Sequence, residues 1–155
     1  MSTIRLHQNT TATREQFIAG LTDFGAGRST LFGNSADDYL QVHHQGEHFA
    51  DVTEGSGGIW ERLHYDWSDL GHVVLTTTDS NVWGGSSGYT YTFTPRPDGT
   101  TDVNVVVVRE GMNLKGRVLG FGLGIIGKRF LGKALRQTAR AIEARTYSTS
   151  PAGLV

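Results

Sequence analysis

The stretch KGRVLGFGLGIIGKRFLGKALRQTARAIEART, residues 115–146, decides how the rest of the chain must fold. It contains no proline. Its apolar residues recur at helical spacing, first Leu119, Leu123, Ile126 and Phe130, then Leu131, Leu135 and Ile142. Arg129, Lys133, Arg136 and Arg140 stand at i, i+4, i+7 and i+11 and make one basic face. The pattern predicts one long amphipathic helix, bent or frayed toward its glycine-rich start. A lone C-terminal helix must bury its apolar face on something, and the residues upstream offer only a sheet.

The glycines of this stretch are unusual. Gly116, Gly120, Gly124 and Gly127 project on the side later taken by Leu131, Leu135 and Ile142, which is the inward side. Each interior glycine costs a helix roughly 0.5–1 kcal/mol relative to alanine. A sequence that accepts several on one face either leaves a hollow there or lets another backbone come close. GLGIIG, residues 122–127, matches the GxGxxG dinucleotide fingerprint, but no strand precedes it and no second βα unit can follow. The small-xxx-small spacing resembles a membrane dimerisation face. The uncharged run from Val118 to Gly127 is only ten residues, too short to span a bilayer.

The chain of 155 residues is the size of one domain with a real core. Residues 1–114 hold six basic and fourteen acidic side chains, and residues 115–155 hold eight basic and one acidic, −8 against +7. This split predicts that the helix lies across an acidic body. No nucleic-acid partner is expected, because the basic stripe lacks an interleaved aromatic platform. The absence of cysteine excludes disulfides, thiol catalysis and cysteine metal clusters. MSTIRLHQNT lacks the apolar core of a signal peptide, so a soluble, cytoplasmic protein is expected.

In chain order, Thr3–Thr11 reads as a strand around Ile4 and Leu6. Thr13 then caps a short helix with Phe17, Leu21 and Phe24 on one face. Gly25–Ser29 ends it, and Asn34 or Ser35 caps a second short helix, SADDYL. From Gln41 the pattern becomes a run of about six antiparallel strands. GIWERLHYDW, HVVLTTTDSNVW, SGYTYTFTP and TDVNVVVVRE are its clearest members. Short turns join them, among them PRPDGT, so a meander is the simplest sheet. The expected architecture is α+β: a curved antiparallel sheet wrapped around the long C-terminal helix, with two short helices after the first strand. Residues 1–147 form a single domain in this reading, and 148–155 a flexible tail.

That order, with ADVTEGSGGIWERLHYDW (residues 50–67), SNVW (80–83) and PDGTTDVNV (97–105), resembles the SRPBCC superfamily over residues 3–146. This is the START-like helix-grip group that includes polyketide cyclase/dehydrase and lipid-transport proteins. The resemblance implies a seven-stranded sheet gripping the C-terminal helix around a hydrophobic cavity. It also implies function classes that range from lipid carriers to aromatic polyketide cyclases. The superfamily shares no catalytic motif, so no catalytic residue and no cofactor are carried over.

Alternation places the site candidates. On residues 59–67, Ile59, Glu61, Leu63, Tyr65 and Trp67 share one face and Trp60, Arg62, His64 and Asp66 the other, and the first set is the more apolar. Glu61 is then either an internal carboxylate paired with Arg109 or half of a rim salt bridge. Tyr89, Tyr91 and Phe93 alternate with threonines and form either a cavity wall or ordinary core. Trp83, beside a glycine turn, is placed at the pocket mouth. Leu123, Gly124, Gly127 and Leu131 are assigned to the helix side of the ligand site. His43, His44 and His48 with Glu47 are the densest group of potential metal ligands, but strand geometry spreads them too far for a zinc site, so no metal is expected.

Three functions follow. The first is binding or transport of a small hydrophobic ligand, a lipid or an aromatic, polyketide-like metabolite, without catalysis. The second is a cyclase or dehydratase using Glu61 or Tyr91 for proton transfer. The third is a module that docks on a membrane surface or a partner through the basic C-terminal helix. The sequence leaves the oligomeric state open.

Overall fold

The structure, a computed structural model, describes residues 1–148, with side chains through Arg145. The tail expected from residue 148 therefore lies outside the described residues, except that Ser148 closes the last helix. The strands are β1 (Ser2–Thr10), β2 (Gln41–Gln45), β3 (Phe49–Ser56), β4 (Ile59–Asp69), β5 (His72–Ser80), β6 (Gly88–Pro95) and β7 (Thr101–Arg109). Helix α1 spans Arg14–Leu21 and helix α2 spans Leu114–Ser148. One 3-10 turn covers Arg28–Thr30.

All seven strands form one antiparallel sheet in the order β1-β7-β6-β5-β4-β3-β2. Consecutive strands from β2 to β7 pair as a meander. β1 returns to the far edge and pairs with β7 over its whole length, from Ser2 opposite Arg109 to Thr10 opposite Thr101. Register shifts near Val42/His44, Arg62/Leu63 and Asp66/Asp69 mark irregularities in the ladder. Each such shift adds local twist and helps a sheet to curl. Gly57 and Gly58, both at positive φ, make the tight β3–β4 turn that L side chains would resist.

Local chemistry sets α1. Gln16 N–H donates to Thr13 Oγ1 at 3.1 Å, and Thr13 N–H donates to Gln16 Oε1 at 2.8 Å, a reciprocal cap. Phe17, Ile18 and Leu21 are buried beneath it. The second short helix is not at SADDYL. Residues 35–40 form turns, with Tyr39 N–H to Ala36 O at 3.0 Å, and the helical turn falls earlier, at Arg28–Thr30. The side chain of Ser35 is turned into the core, where Ser35 Oγ donates to Glu54 at 2.8 Å. It is thereby spent on a tertiary bond rather than on a helix cap.

Helix α2 has two unlike halves. In the C-terminal half Leu135, Thr138, Ala139 and Ile142 are buried, and Thr138 Oγ1 donates to Leu31 O at 2.7 Å. In the N-terminal half Asn113 caps the helix, its Oδ1 accepting from Gly116 N–H at 2.8 Å. Here the helix is drawn against the chain by its glycines. A Cβ on Gly116 would stand 2.1 Å from Val82 O, and one on Gly127 would stand 2.8 Å from Ile4 Cδ1. The glycine ridge is a close-approach surface toward β1 and the Val82–Trp83 loop. This corrects the expectation that the whole apolar stripe turns inward. Leu119 and Leu123 are half-buried, while Ile126 and Phe130 are exposed. A helix of 35 residues is about 52 Å long and outruns a strand of nine or eleven residues.

Candidate functional site

Between the concave face of the sheet and α2 lies a cavity of about 460 Å³. Strand alternation builds its wall. Leu63 and Tyr65 come from β4, Leu75 from β5, Tyr89 and Tyr91 from β6, and Val107 and Arg109 from β7. α2 closes the opposite side with Leu119, Leu123, Phe130 and Leu131. Trp60 and Trp83 also line it. Phe130 lines the cavity yet keeps 64% of its surface in solvent, so it stands at the rim.

The polar content of this wall is concentrated in two buried ion pairs. Arg109 holds Glu61 with both nitrogens, Nη1 to Oε2 at 2.9 Å and Nη2 to Oε1 at 3.0 Å. Thr77 Oγ1 donates to the same carboxylate at 2.9 Å, and Tyr89 Oη lies 3.4 Å from it. The Arg109 guanidinium also lies over the Tyr89 ring at 4.4 Å and the Trp83 ring at 5.2 Å. Such bidentate, aromatic-covered geometry is what a desolvated arginine needs.

The second pair is Arg28 and Glu54. Arg28 Nε donates to Glu54 Oε1 at 2.6 Å, and its Nη1 donates to Asp23 O at 2.7 Å. Tyr65 Oη donates to Glu54 Oε2 and accepts from Arg28 Nη2, the latter at 3.0 Å. The guanidinium lies 4.8 Å from the Phe24 ring and 4.5 Å from the Phe32 ring. Among the described residues no side-chain nitrogen or oxygen that is fully shut off from solvent is left without a partner.

Burial raises the tyrosines. It pushes the Tyr65 and Tyr89 phenols well above the usual tyrosine range. Tyr91 is pushed up to about 12, by burial first, while Arg28 pulls the other way. All three remain neutral hydroxyls at neutral pH. Tyr91 Oη meets no hydrogen-bond partner among the described residues, whereas its ring stacks on Phe93 at 6.2 Å.

The structure gathers Glu61, Leu63, Tyr65, Trp83, Tyr89, Tyr91, Arg109, Leu123 and Leu131 around one cavity. Four other expected site residues do not line it. Trp67 lies two residues beyond Tyr65 on β4 and is packed in the core. Phe93 lies two beyond Tyr91 and packs on Phe17 of α1 at 5.4 Å. Gly124 and Gly127 face β1 instead, near Ser2 Oγ and Ile4 Cδ1, because the helix approaches the sheet edge through its glycines. Trp83 lines the cavity too, buried, with the Arg109 guanidinium over its ring.

Arg28 and Glu54 were missed. Alternation from Ala50 through Val52 would have placed Glu54 inside, so its signal was present. Arg28 sits in a loop without period, and only Phe24 and Phe32, four residues to either side, hint at an aromatic cage. The histidines are spread over the exposed β2 region, where His43 Nε2 meets Thr53 Oγ1 at 2.6 Å. Among the described residues no group of three or more such side chains is placed to hold a metal ion.

Neither family models nor curated proteins match the sequence. Solved structures do. The protein TTHA0849 from Thermus thermophilus superposes with a TM-score of 0.68 at 14% identity, covering 96% of this chain and 99% of that one. A START superfamily protein from Mycobacterium smegmatis gives 0.68 at 12% identity, covering 97% and 100%. The Zhui aromatase/cyclase from a Streptomyces species gives 0.67 at 10% identity, covering 93% and 94%. At these identities the likeness is one of architecture. The seven-stranded curved sheet, the short helices after β1 and the long α2 closing a concave face give this chain the helix-grip fold that it shares with the START superfamily protein and the aromatase/cyclase.

Proposed function

We propose that the chain binds a small, largely apolar molecule with a planar aromatic part, and that it acts as a carrier or sensor. The cavity carries this reading. Its volume of about 460 Å³ falls in the range of sites for one drug-sized ligand. Its wall is aliphatic and aromatic, and its charges are already paired with each other. A ligand that entered would meet aromatic faces and a neutral phenol, Tyr91, rather than an unbalanced charge. Stacking on Tyr89, Tyr91 and Trp83 favours a ring system over an acyl chain.

Native mass spectrometry of freshly purified protein, compared with its denatured mass, tests this. A carrier retains an added mass that denaturation removes, and the value separates polycyclic aromatics from acyl chains. An apo mass, with no shift on soaking in aromatic metabolites, would end the carrier reading.

One observation favours a second reading, a cyclase or dehydratase acting on an enolisable ketone. The Tyr91 hydroxyl is unpartnered at the cavity wall and can donate to a carbonyl or enolate oxygen. Against it, the two carboxylates that line the cavity among the described residues are already engaged, Glu61 by Arg109 and Thr77 and Glu54 by Arg28, Ser35 and Tyr65. In the carrier, Tyr91→Phe leaves ligand retention nearly unchanged. In an enzyme it abolishes product while binding persists.

A further inference from the structure

The N-terminal half of α2 carries a second surface that the cavity does not use. Leu114, Val118, Phe121 and Ile125 stand at i, i+4, i+7 and i+11, so they form one stripe. The stripe is open to solvent, with Phe121 73% and Ile125 69% exposed. At about 100° per residue, Lys115 and Arg129 flank it on one side and Arg117 and Lys128 on the other. From Leu114 to Ile142 the chain has no acidic residue. Next to the stripe, Ile126 and Phe130 continue the exposed apolar surface to the cavity rim.

We propose that this half of α2 docks the protein on an anionic lipid surface. The stripe would lie at the headgroup level, with the flanking cations against lipid phosphates and the cavity rim beside the bilayer. Three observations select this occupant. A row of exposed large apolar side chains bordered by cations on both sides is the pattern of a helix that lies in a membrane interface. The segment is too short in its uncharged run to cross, and no helix among the described residues is long and apolar enough to span a membrane. The body formed by residues 1–114 carries a net −8, which repels an anionic surface and turns α2 toward it. A second copy of the chain fits less well. A two-fold contact through this stripe would bring the same four cations of each copy together with no carboxylate between them.

The test is vesicle co-sedimentation of the full chain with phosphatidylcholine vesicles and with mixed phosphatidylcholine–phosphatidylglycerol vesicles. The wild type is expected to sediment with the mixed vesicles, far less with the neutral ones, and less as salt rises. Neither Phe121→Ser/Ile125→Ser nor Lys128→Gln/Arg129→Gln touches the cavity. Each should lower the apparent affinity about tenfold, the first by removing buried apolar area and the second by removing two cations. Circular dichroism of each variant checks that the fold is kept.

Absence of binding to both vesicle types overturns the proposal. So does binding that survives Phe121→Ser/Ile125→Ser, which would mark a purely electrostatic contact suited to an acidic protein. A dimer in light scattering that Ile125→Ser dissociates, without vesicle binding, would give the stripe to a second copy and also overturn it. Docking is read without any ligand, so it and the ligand reading fail separately.

Discussion

Glu54 and Glu61 sit directly opposite each other on the β3–β4 ladder, both on the concave face. Like charges in that position destabilise a sheet, and burial makes the repulsion worse. The arrangement holds because each carboxylate has its own guanidinium, Arg28 for one and Arg109 for the other. Removing a single partner leaves an uncompensated buried charge, so Arg109→Met is expected to cost about 3–5 kcal/mol. The double variant Glu61→Leu/Arg109→Met should cost clearly less than the two single changes added together. Urea unfolding midpoints at constant slope measure this. Equal, additive losses would mean that the pair is solvated rather than buried. Tyr91 gives a second prediction at this scale. Burial moves its phenol from 10.0 to about 12. Between those values the unfolded chain has lost the proton and the folded chain keeps it. Stability from this group is therefore whole below pH 10 and is lost as pH rises through about 12. An offset of this size is worth about 2–3 kcal/mol. Tyr91→Phe should flatten the loss of stability between pH 10 and 12 in chemical unfolding. Tyr65 and Tyr89 will leave a residual slope. A variant whose alkaline slope matches the wild type would place the Tyr91 hydroxyl in water.

At the scale of the element, α2 shows two uses of glycine in one helix. A side chain on Gly116 would run into the backbone carbonyl of Val82, whereas Gly132 has nothing within 4 Å of a Cβ position. Gly116→Ala must push the helix start off the Val82–Trp83 loop and should destabilise by more than about 1 kcal/mol, the level at which overpacking is felt. Gly132→Ala meets no obstacle and should stabilise by about 0.5–1 kcal/mol through helix propensity alone. Thermal melts of the two variants shift in opposite directions if this is right. The helix was legible from its period, and so was the inward side of its glycines. Whether they left a hollow or a close contact was not. That depends on where Val82 O and Ile4 stand, and both are brought in from distant parts of the chain. The same limit explains Ile126 and Phe130. Periodicity finds an apolar face but does not say where the sheet beneath it ends.

For the whole molecule, the alternating strands gave most of the concave wall in advance, because a period of two assigns each side chain a face. The β4 face with Glu61, Leu63 and Tyr65 and the β6 face with Tyr89 and Tyr91 follow from that alone. Arg28 did not, since a loop has no period and its partner Glu54 lies 26 residues away in sequence. How far along each strand the cavity extends was equally hidden. It stops before Trp67 and Phe93, where β4 and β6 enter the core that includes α1. That boundary makes a prediction about the tryptophans. Trp60 and Trp83 line the cavity, and Trp67 does not. An aromatic ligand that absorbs in the range of indole emission should therefore quench mainly the first two, and Trp83→Phe should remove a large share of the quenching while Trp67 continues to emit. The same titration has a thermodynamic counterpart. At a ligand concentration about 100 times the dissociation constant, a site present only in the folded chain adds about 2.7 kcal/mol of stability. For a domain of this size that corresponds to a rise in Tm of roughly 6–10 °C. Quenching and stabilisation must saturate together if both report the one cavity. Stabilisation without quenching of Trp60 or Trp83 would put the ligand elsewhere, and the cavity would then be a packing defect rather than a site.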